Sequence, residues 1–491
     1  MTSPIILATG TPGAAVSATS LVLEWHDSLL NEPASLAGAI VYDRGQIPLY
    51  RAAFIAEHGA AGLLMAEGGK NYHPLILATE AGLPAIAGLG AHHDWAGRTV
   101  TMNAGVGQVL EGIVEIDPPP PLTVATLPDE APEVYVNVGY PSGLQVAAES
   151  GAAGLGLMRT EFAAVRTLAL HLNARLDDGR SWRELLEAVG NEADALYTIA
   201  DDRNSSDLLR QGMRDVVSET VKYFGSRDVV IRTLDIARRL DEPMGNRGIR
   251  RCVGSGGTTI RLLCEAIREV LDEQGGRIGL ILPLVSHYGQ IKATVDILLD
   301  CGLNLRRPGS DAPRQIDFGW EIEQPAASQN NRVWLAAFLA EFGQPPHMIG
   351  IGTNDLTQFT IALGRDVYTE ESDPVMAEYL RTLYDEHEFS VVRQIVESAA
   401  QCRHVGTRVF LLGQAGADPL LAPLLFACDI TPSVSAAKVS AVQTLAVDML
   451  LPGAGERALR AYRERVLNTY PTTAREAVEN ELGGFFAAMR T

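Results

Sequence analysis

The sequence predicts an α/β protein in which a small α/β domain precedes a (β/α)8 TIM barrel. Three observations lead there. From about residue 130 onward, about eight short apolar runs recur with helical material between most of them, the alternation that a closed parallel sheet requires. Ahead of them, a stretch of about 115 residues rich in Gly and Ala has the strand, turn and helix pattern of a smaller α/β unit. Between the two lies Asp117-Pro118-Pro119-Pro120-Pro121, whose consecutive prolines form a stiff, extended spacer. The expected division is therefore a first domain over 1–116, a Pro-rich linker over 117–130, the barrel over 131–454 and a helical tail over 455–491.

In the first domain, residues 61–65 (AGLLM) read as a strand that runs into Glu67-Gly68-Gly69-Lys70-Asn71-Tyr72-His73. An apolar-periodic helix is expected from Pro74 to Ala81. His73 thus sits where a glycine turn meets a helix N-terminus, a place whose free N–H groups and dipole favour an anion such as a phosphoryl group on the imidazole. A loop histidine with no role is the plain alternative.

The barrel strands are expected at Val134–Tyr140, Gly154–Met158, Val229–Leu234, Ile278–Val285, Ile316–Ile322, Met348–Ile351, Val409–Leu412 and Ile430–Val434. Their C-terminal ends carry the chemistry. Arg159-Thr160-Glu161 follows the second strand, the third holds Arg232 and leads to Asp235, and Arg247 comes shortly after. The fifth ends in Glu321-Ile322-Glu323, and the sixth breaks at Gly352 into Thr353-Asn354-Asp355 before a helical run to Arg365. In a barrel these ends converge on one face. Arginines there suit an anion with phosphate and carboxylate groups, and the carboxylates suit a hard divalent cation. For Asn354 or Asp355 a helix N-cap is the competing explanation. For each arginine it is a surface ion pair.

The totals exclude several classes. A formal net charge of -20 argues against nucleic acid and against an anionic membrane surface. Cys252, Cys264, Cys301, Cys402 and Cys428 are odd in number and widely spaced, which predicts neither a zinc site nor a disulfide framework and points to a reducing compartment. The N-terminus has no signal-peptide pattern and no apolar run has transmembrane length, so a cytoplasmic protein is expected.

The segments GLGLMRTEF (154–162), VVIRTLDI (229–236), PMGNRGIR (243–250), EIEQPAA (321–327), IGTNDLTQFTIALGR (351–365) and GQAGADPLLAPLL (413–425) resemble the phosphoenolpyruvate-utilising family. That family comprises enzyme I of the sugar phosphotransferase system, phosphoenolpyruvate synthase and pyruvate phosphate dikinase. GGKNYHPLILATEAGLPAIAG (68–88) and ILATGTPGAAVSATSLVL (6–23) are similar to its swivelling phosphohistidine domain. The resemblance implies that Arg159, Arg232, Arg247 and Arg365 hold the phosphate and carboxylate of phosphoenolpyruvate, with Asn354 as a substrate-binding amide. It implies Glu323 and Asp355 as Mg²⁺ ligands, His73 as the phosphoryl acceptor, and a homodimer. Such a site works by positioning and charge neutralisation, and a neutral imidazole needs no base to act as nucleophile.

The departures are specific. The family cysteine that protonates the enolate corresponds to Leu412, which cannot donate a proton. The loop after the third strand, where the family has an Asp and a Lys, reads Ala237-Arg238-Arg239-Leu240. Tyr72 replaces a Ser or Thr, and Thr79 replaces an Arg. A carrier-binding helical insertion and an ATP-grasp domain are not expected within this sequence. Three readings follow. One is Mg²⁺-dependent phosphoryl exchange between phosphoenolpyruvate and His73, with a separate donor or acceptor protein. Another is altered chemistry on phosphoenolpyruvate, or a related phosphorylated acid, because of Leu412. The last is a non-catalytic phosphoenolpyruvate-binding regulator.

Overall fold

The computed structural model describes residues 5–13, 17–69, 72–117, 126–236, 247–364 and 373–489. The small domain is built on an eight-stranded sheet of β1 (Ile6–Thr9), β2 (Thr11–Pro12), β3 (Ser17–Glu24), β4 (Ile40–Asp43), β5 (Gly62–Met65), β6 (Ala85–Ala87), β7 (Thr99–Asn103) and β8 (Gln108–Glu111). Its order is β1-β8-β7-β3-β4-β5-β6-β2. The centre, β3 to β6, is parallel. Strands β7, β8 and β1 extend it antiparallel. Helices α1 (Leu49–Glu57) and α2 (His73–Glu80) are the crossover connections that parallel strands require. The buried face of α1, Ala52 to Ile55, closes against β4 and β5 within one large core.

The second domain is the expected barrel. Its strands are β9 (Tyr135–Val138), β10 (Leu155–Arg159), β11 (Val229–Arg232), β12 (Ile278–Leu282), β14 (Gln315–Ile322), β15 (Met348–Gly352), β16 (Arg408–Leu412) and β17 (Thr431–Ser435), with the short β13 (Asn304–Leu305) flanking β14. All the barrel pairings are parallel, and β12 against β14 closes the ring. The interior is set by strand parity. Tyr135, Leu157, Val230, Ile281, Met348, Phe410 and Leu412 form a separate inner cluster. Their neighbours Val136, Met158, Ile231, Leu280 and Leu411 pack outward against the helices.

The C-terminal residues form helices over Ala454–Thr469 and Arg475–Met489. They lie on the barrel's outer wall, where Tyr462 is fully buried and Phe485 meets the ring of Phe389 edge-on. No helix among the described residues is long and apolar enough to cross a membrane.

The small domain is docked over the barrel mouth. Glu57 at the end of α1 accepts hydrogen bonds from Tyr140 Oη at 2.7 Å and Arg166 Nε at 2.8 Å. The Tyr50 amide donates to Glu192 at 3.2 Å, and Arg183 donates to Asn31 at 2.9 Å. At the inner edge Arg159 and Glu80 form an ion pair at 3.1 Å.

Candidate active site

The parity that buries Val230 and Leu157 inside the barrel continues to Arg232 and Arg159 two residues further on, at the mouth. The same rule turns Glu321 and Glu323 inward on β14, because Trp320 and Ile322 face the outer core. Space for these carboxylates comes from β15. A Cβ added at Gly350 would stand 3.2 Å from Glu321 Cγ and 2.7 Å from Leu412 Cδ1, and one at Gly352 would stand 2.5 Å from Glu323 Oε1. The glycines of Ile349-Gly350-Ile351-Gly352 therefore leave the volume that the two glutamates fill.

Arg232 is 8% exposed and is paired with Glu161, with Glu321 Oε2 at 3.6 Å and Asp235 Oδ2 at 3.7 Å. Arg247 donates from Nε and Nη2 to the two oxygens of Asp235 at 3.0 and 3.1 Å. Its Nη2 also lies 3.0 Å from each oxygen of Asp355. Burial works against ionisation of Asp235, yet Arg247 and Arg232, with a further contribution from His73, hold its carboxyl below the usual range. Glu323 behaves oppositely. Burial pushes its carboxyl well up, and the negative fields of Glu321 and Asp355 push the same way. Burial also raises Glu321, both of whose oxygens are buried without a hydrogen bond among the described residues.

Carboxylates therefore outnumber the described cations around Arg232 and Arg247, a state that calls for additional positive charge. The donor set fits Mg²⁺. Glu323 and Asp355 are hard oxygen ligands, and Glu323 Oε2 is oriented by the Leu284 amide at 2.7 Å. No group of three or more His, Cys, Asp or Glu converges as a metal cluster among the described residues. Two carboxylates suit an ion that keeps water and substrate oxygens in its shell.

These side chains line one cavity of about 1290 Å³ between the barrel mouth and the small domain. His73, Arg159, Arg232, Arg247, Glu323, Asn354, Asp355 and Leu412 all contribute to its wall. His73 is the first residue of α2, preceded by Tyr72 in extended conformation. Tyr72 fixes this turn, since its hydroxyl accepts from the Ile47 amide at 3.0 Å and donates to the Ile47 carbonyl at 3.2 Å. Asn354 and Asp355 lie in the first turn of the helix Thr353–Ile361, whose N-cap is Gly352 with no side-chain cap. The N-cap alternative for these two residues is thereby set aside. Arg365, Arg238 and Arg239 lie outside the described residues.

Leu412 is 5% exposed and belongs to the inner barrel cluster. None of the five cysteines lines the cavity. Cys402 and Cys428 are buried on or beside outer helices, and burial pushes each thiol up to about 12.

Among the contributors the sequence did not point to, two are instructive. Glu80 had a detectable signal: it follows His73 by two helical turns and so shares its face. The Leu284 amide had none. It points at Glu323 because Leu284 adopts a left-handed φ of 54°, unusual for a residue with a branched side chain.

A parallel barrel with a charged, two-walled mouth, closed by a smaller α/β domain that presents a histidine, defines the class. The chain belongs to the PEP-utilising enzymes. The family's PEP-binding domain matches residues 121–450 and its mobile domain matches 50–107. A probable phosphoenolpyruvate synthase from Archaeoglobus fulgidus is 31% identical over 378 residues, covering 73% of this chain and 43% of that protein. A phosphoenolpyruvate-protein phosphotransferase from a Bacillus species is 25% identical over 392 residues, covering 73% of this chain and 58% of that protein. The chain thus spans about half the length of these curated relatives. Among solved structures, an HpcH/HpaI aldolase from Desulfitobacterium hafniense aligns at 13% identity with a TM-score of 0.32, over 66% of this chain and 95% of that one.

Proposed function

We propose that this chain binds phosphoenolpyruvate, or a closely similar phosphorylated acid, in the barrel mouth and exchanges its phosphoryl group with His73. The observation that carries this reading is the shared cavity, with His73 on one wall and Arg232, Arg247, Glu323 and Asp355 on the other. In this reading residues 1–116 carry the phosphoryl group, 117–130 tether them and 131–454 hold the substrate.

Arg159, Arg232 and Arg247 present planar, permanently charged forks suited to phosphate and carboxylate. Arg365 is assigned the same task from the sequence alone. Asn354 supplies a neutral amide to the substrate. Mg²⁺ held by Glu323 and Asp355 would neutralise charge on the phosphoryl oxygens. An imidazole nitrogen of His73 bonds to phosphorus as the bond from phosphorus to the enol oxygen breaks, and that electron pair stays on the departing enolate. The N-terminal amides of α2 then face the new anion on His73. A separate protein would supply or remove the phosphoryl group, and the homodimer implied by the family resemblance belongs to the same proposal.

Leu412 favours a second outcome for the enolate. Its side chain closes the barrel interior beside Ile281 and Leu157, so the site offers no thiol to complete pyruvate. The enolate carbon then takes a proton from water, leaving hydroxide, or bonds to a bound electrophile. Incubation with ³²P-labelled phosphoenolpyruvate and Mg²⁺ tests the proposal. Acid-labile label on the protein supports it. Product formed without labelled protein favours altered chemistry on phosphoenolpyruvate that bypasses His73, and saturable binding without turnover leaves a regulator.

A further inference from the structure

The mobile-type domain places a carboxylate on an arginine of the barrel mouth. Glu80 Oε1 accepts from Arg159 Nη1 at 3.1 Å. Its Oε2 is buried without a side-chain hydrogen bond among the described residues and lies against the backbone of Gly139, just beyond the end of β9. The Gly139 amide favours the carboxylate. A Cβ added at Gly139 would collide with that oxygen. Gly139 is not among the glycines with left-handed φ, so its backbone would accept alanine. The missing side chain leaves room for Glu80 and for the edge of the buried Phe162 ring, whose Cδ2 a Cβ here would approach to 2.8 Å.

Arg159 and the open space over Gly139 together form an anion seat on the barrel, and in the docked arrangement a carboxylate of the same chain fills it. A second oxyanion on the same edge of Arg159 would stand within a few ångströms of Glu80, where like charges repel strongly away from bulk water. Occupancy by Glu80 and by an external oxyanion therefore exclude one another. By linkage, an anion weakens this contact by the factor by which the contact weakens the anion.

We propose that Glu80 is an intramolecular ligand of the Arg159–Gly139 seat, which a phosphoryl or carboxylate group of the substrate must displace. Displacement removes the side-chain tie between α2 and Arg159 and leaves the weaker hydrogen bond from Ser142 Oγ to the Glu80 carbonyl at 3.2 Å, while Glu57 still ties α1 to Tyr140 and Arg166 on the far side. The domain then pivots and does not detach. The inference rests on the reading of Arg159 as a substrate-binding group and deepens it: the family's mobile domain here carries its own competitor for the barrel site.

The test compares the full chain with Glu80→Gln and Gly139→Ala. The first removes the charge; the second expels the carboxylate while leaving both charges in the protein, and a urea melt of that variant checks that the buried Phe162 ring beside the new methyl is accommodated. Phosphoenolpyruvate affinity is measured calorimetrically with Mg²⁺, and amide hydrogen exchange is followed in α2. Both variants are expected to bind at least tenfold tighter than the wild type, and the ligand should speed α2 exchange in the wild type. Equal affinities in all three proteins, or wild-type α2 exchange unmoved by bound ligand, overturn the proposal. If none of the proteins binds phosphoenolpyruvate, the substrate reading fails and the exchange data alone decide. Faster α2 exchange in both variants without ligand then supports the latch, and identical exchange overturns it.

Discussion

Arg247 Nη2 stands 3.0 Å from both carboxylate oxygens of Asp355, so the candidate metal ligand and the candidate substrate arginine are in contact before any ligand arrives. A carboxylate has lone pairs enough to accept from Arg247 and to ligate a cation at once. The pair therefore links the proposed metal ligand directly to the proposed phosphate-binding arginine.

Asp355→Ala should abolish Mg²⁺-dependent binding of phosphoenolpyruvate. The fold should survive, because Arg247 stays bonded to Asp235 and the lost hydrogen bonds amount to about 1–3 kcal/mol. Calorimetric titration with Mg²⁺ and with EDTA, beside a urea melt, separates the two effects. Unaltered affinity in the variant would falsify the metal assignment.

His73→Ala should eliminate acid-labile labelling from phosphoenolpyruvate while leaving substrate binding nearly unchanged, because His73 belongs to the opposite wall of the cavity. Label that persists in the variant would mean that another nucleophile takes the phosphoryl group.

Much of this was legible in the sequence because it depends on local periodicity. Inward parity on each strand carries Val230 to Arg232 and Leu157 to Arg159, and the end of a strand is visible as the end of an apolar run. What was illegible depends on contacts across the chain. The bond from Arg159 to Glu80 spans 79 positions and exists only once the small domain docks. The hydrogen bond from Leu284 to Glu323 needs a left-handed leucine that no propensity foretells. The antiparallel edge of the first sheet was likewise missed. Its strands are short, and β7 and β3 bring Thr101 and Thr19 together in a hydroxyl pair at 2.8 Å, where an apolar signal would have marked a core strand.

His387 predicts the pH response of the mouth. Its Nδ1 lies 2.9 Å from Asp385 and its Nε2 3.0 Å from Asp418, which joins the segment after the helix Pro374–Leu383 to the loop that follows Leu412. The hydrogen bond to Asp385 leads in raising the imidazole to about 9, against burial and with help from Asp418. A folded pKa above the unfolded one means that the stabilisation is complete below about pH 6.5 and is lost as pH rises through about 9. On the acid side, burial opposes ionisation of Asp385, but His387 and Arg465 hold it at about 2, so its contribution is lost only as pH falls from about 4 toward 2. The melting temperature should accordingly fall between pH 7 and 9.5, and His387→Asn should flatten that slope. An equal slope in both proteins would assign it to other groups.

Leu412→Cys should place a proton donor at the barrel mouth and raise pyruvate formation. The side chain lies among Leu157, Ile281 and Phe410 in the inner cluster, next to the glycine at position 350 that leaves room for Glu321. A thiol there faces the cavity in which an enolate would be released. Shortening a buried leucine costs about 1–3 kcal/mol in lost packing, which the barrel's size makes tolerable. Pyruvate release, followed by coupled oxidation of NADH with lactate dehydrogenase, should rise in the variant, and a single-turnover experiment should show the gain in the step after phosphoryl transfer. An unchanged rate would mean that water already delivers the proton at this position. In that case Leu412 would be a packing residue of the barrel and no bar to pyruvate as product.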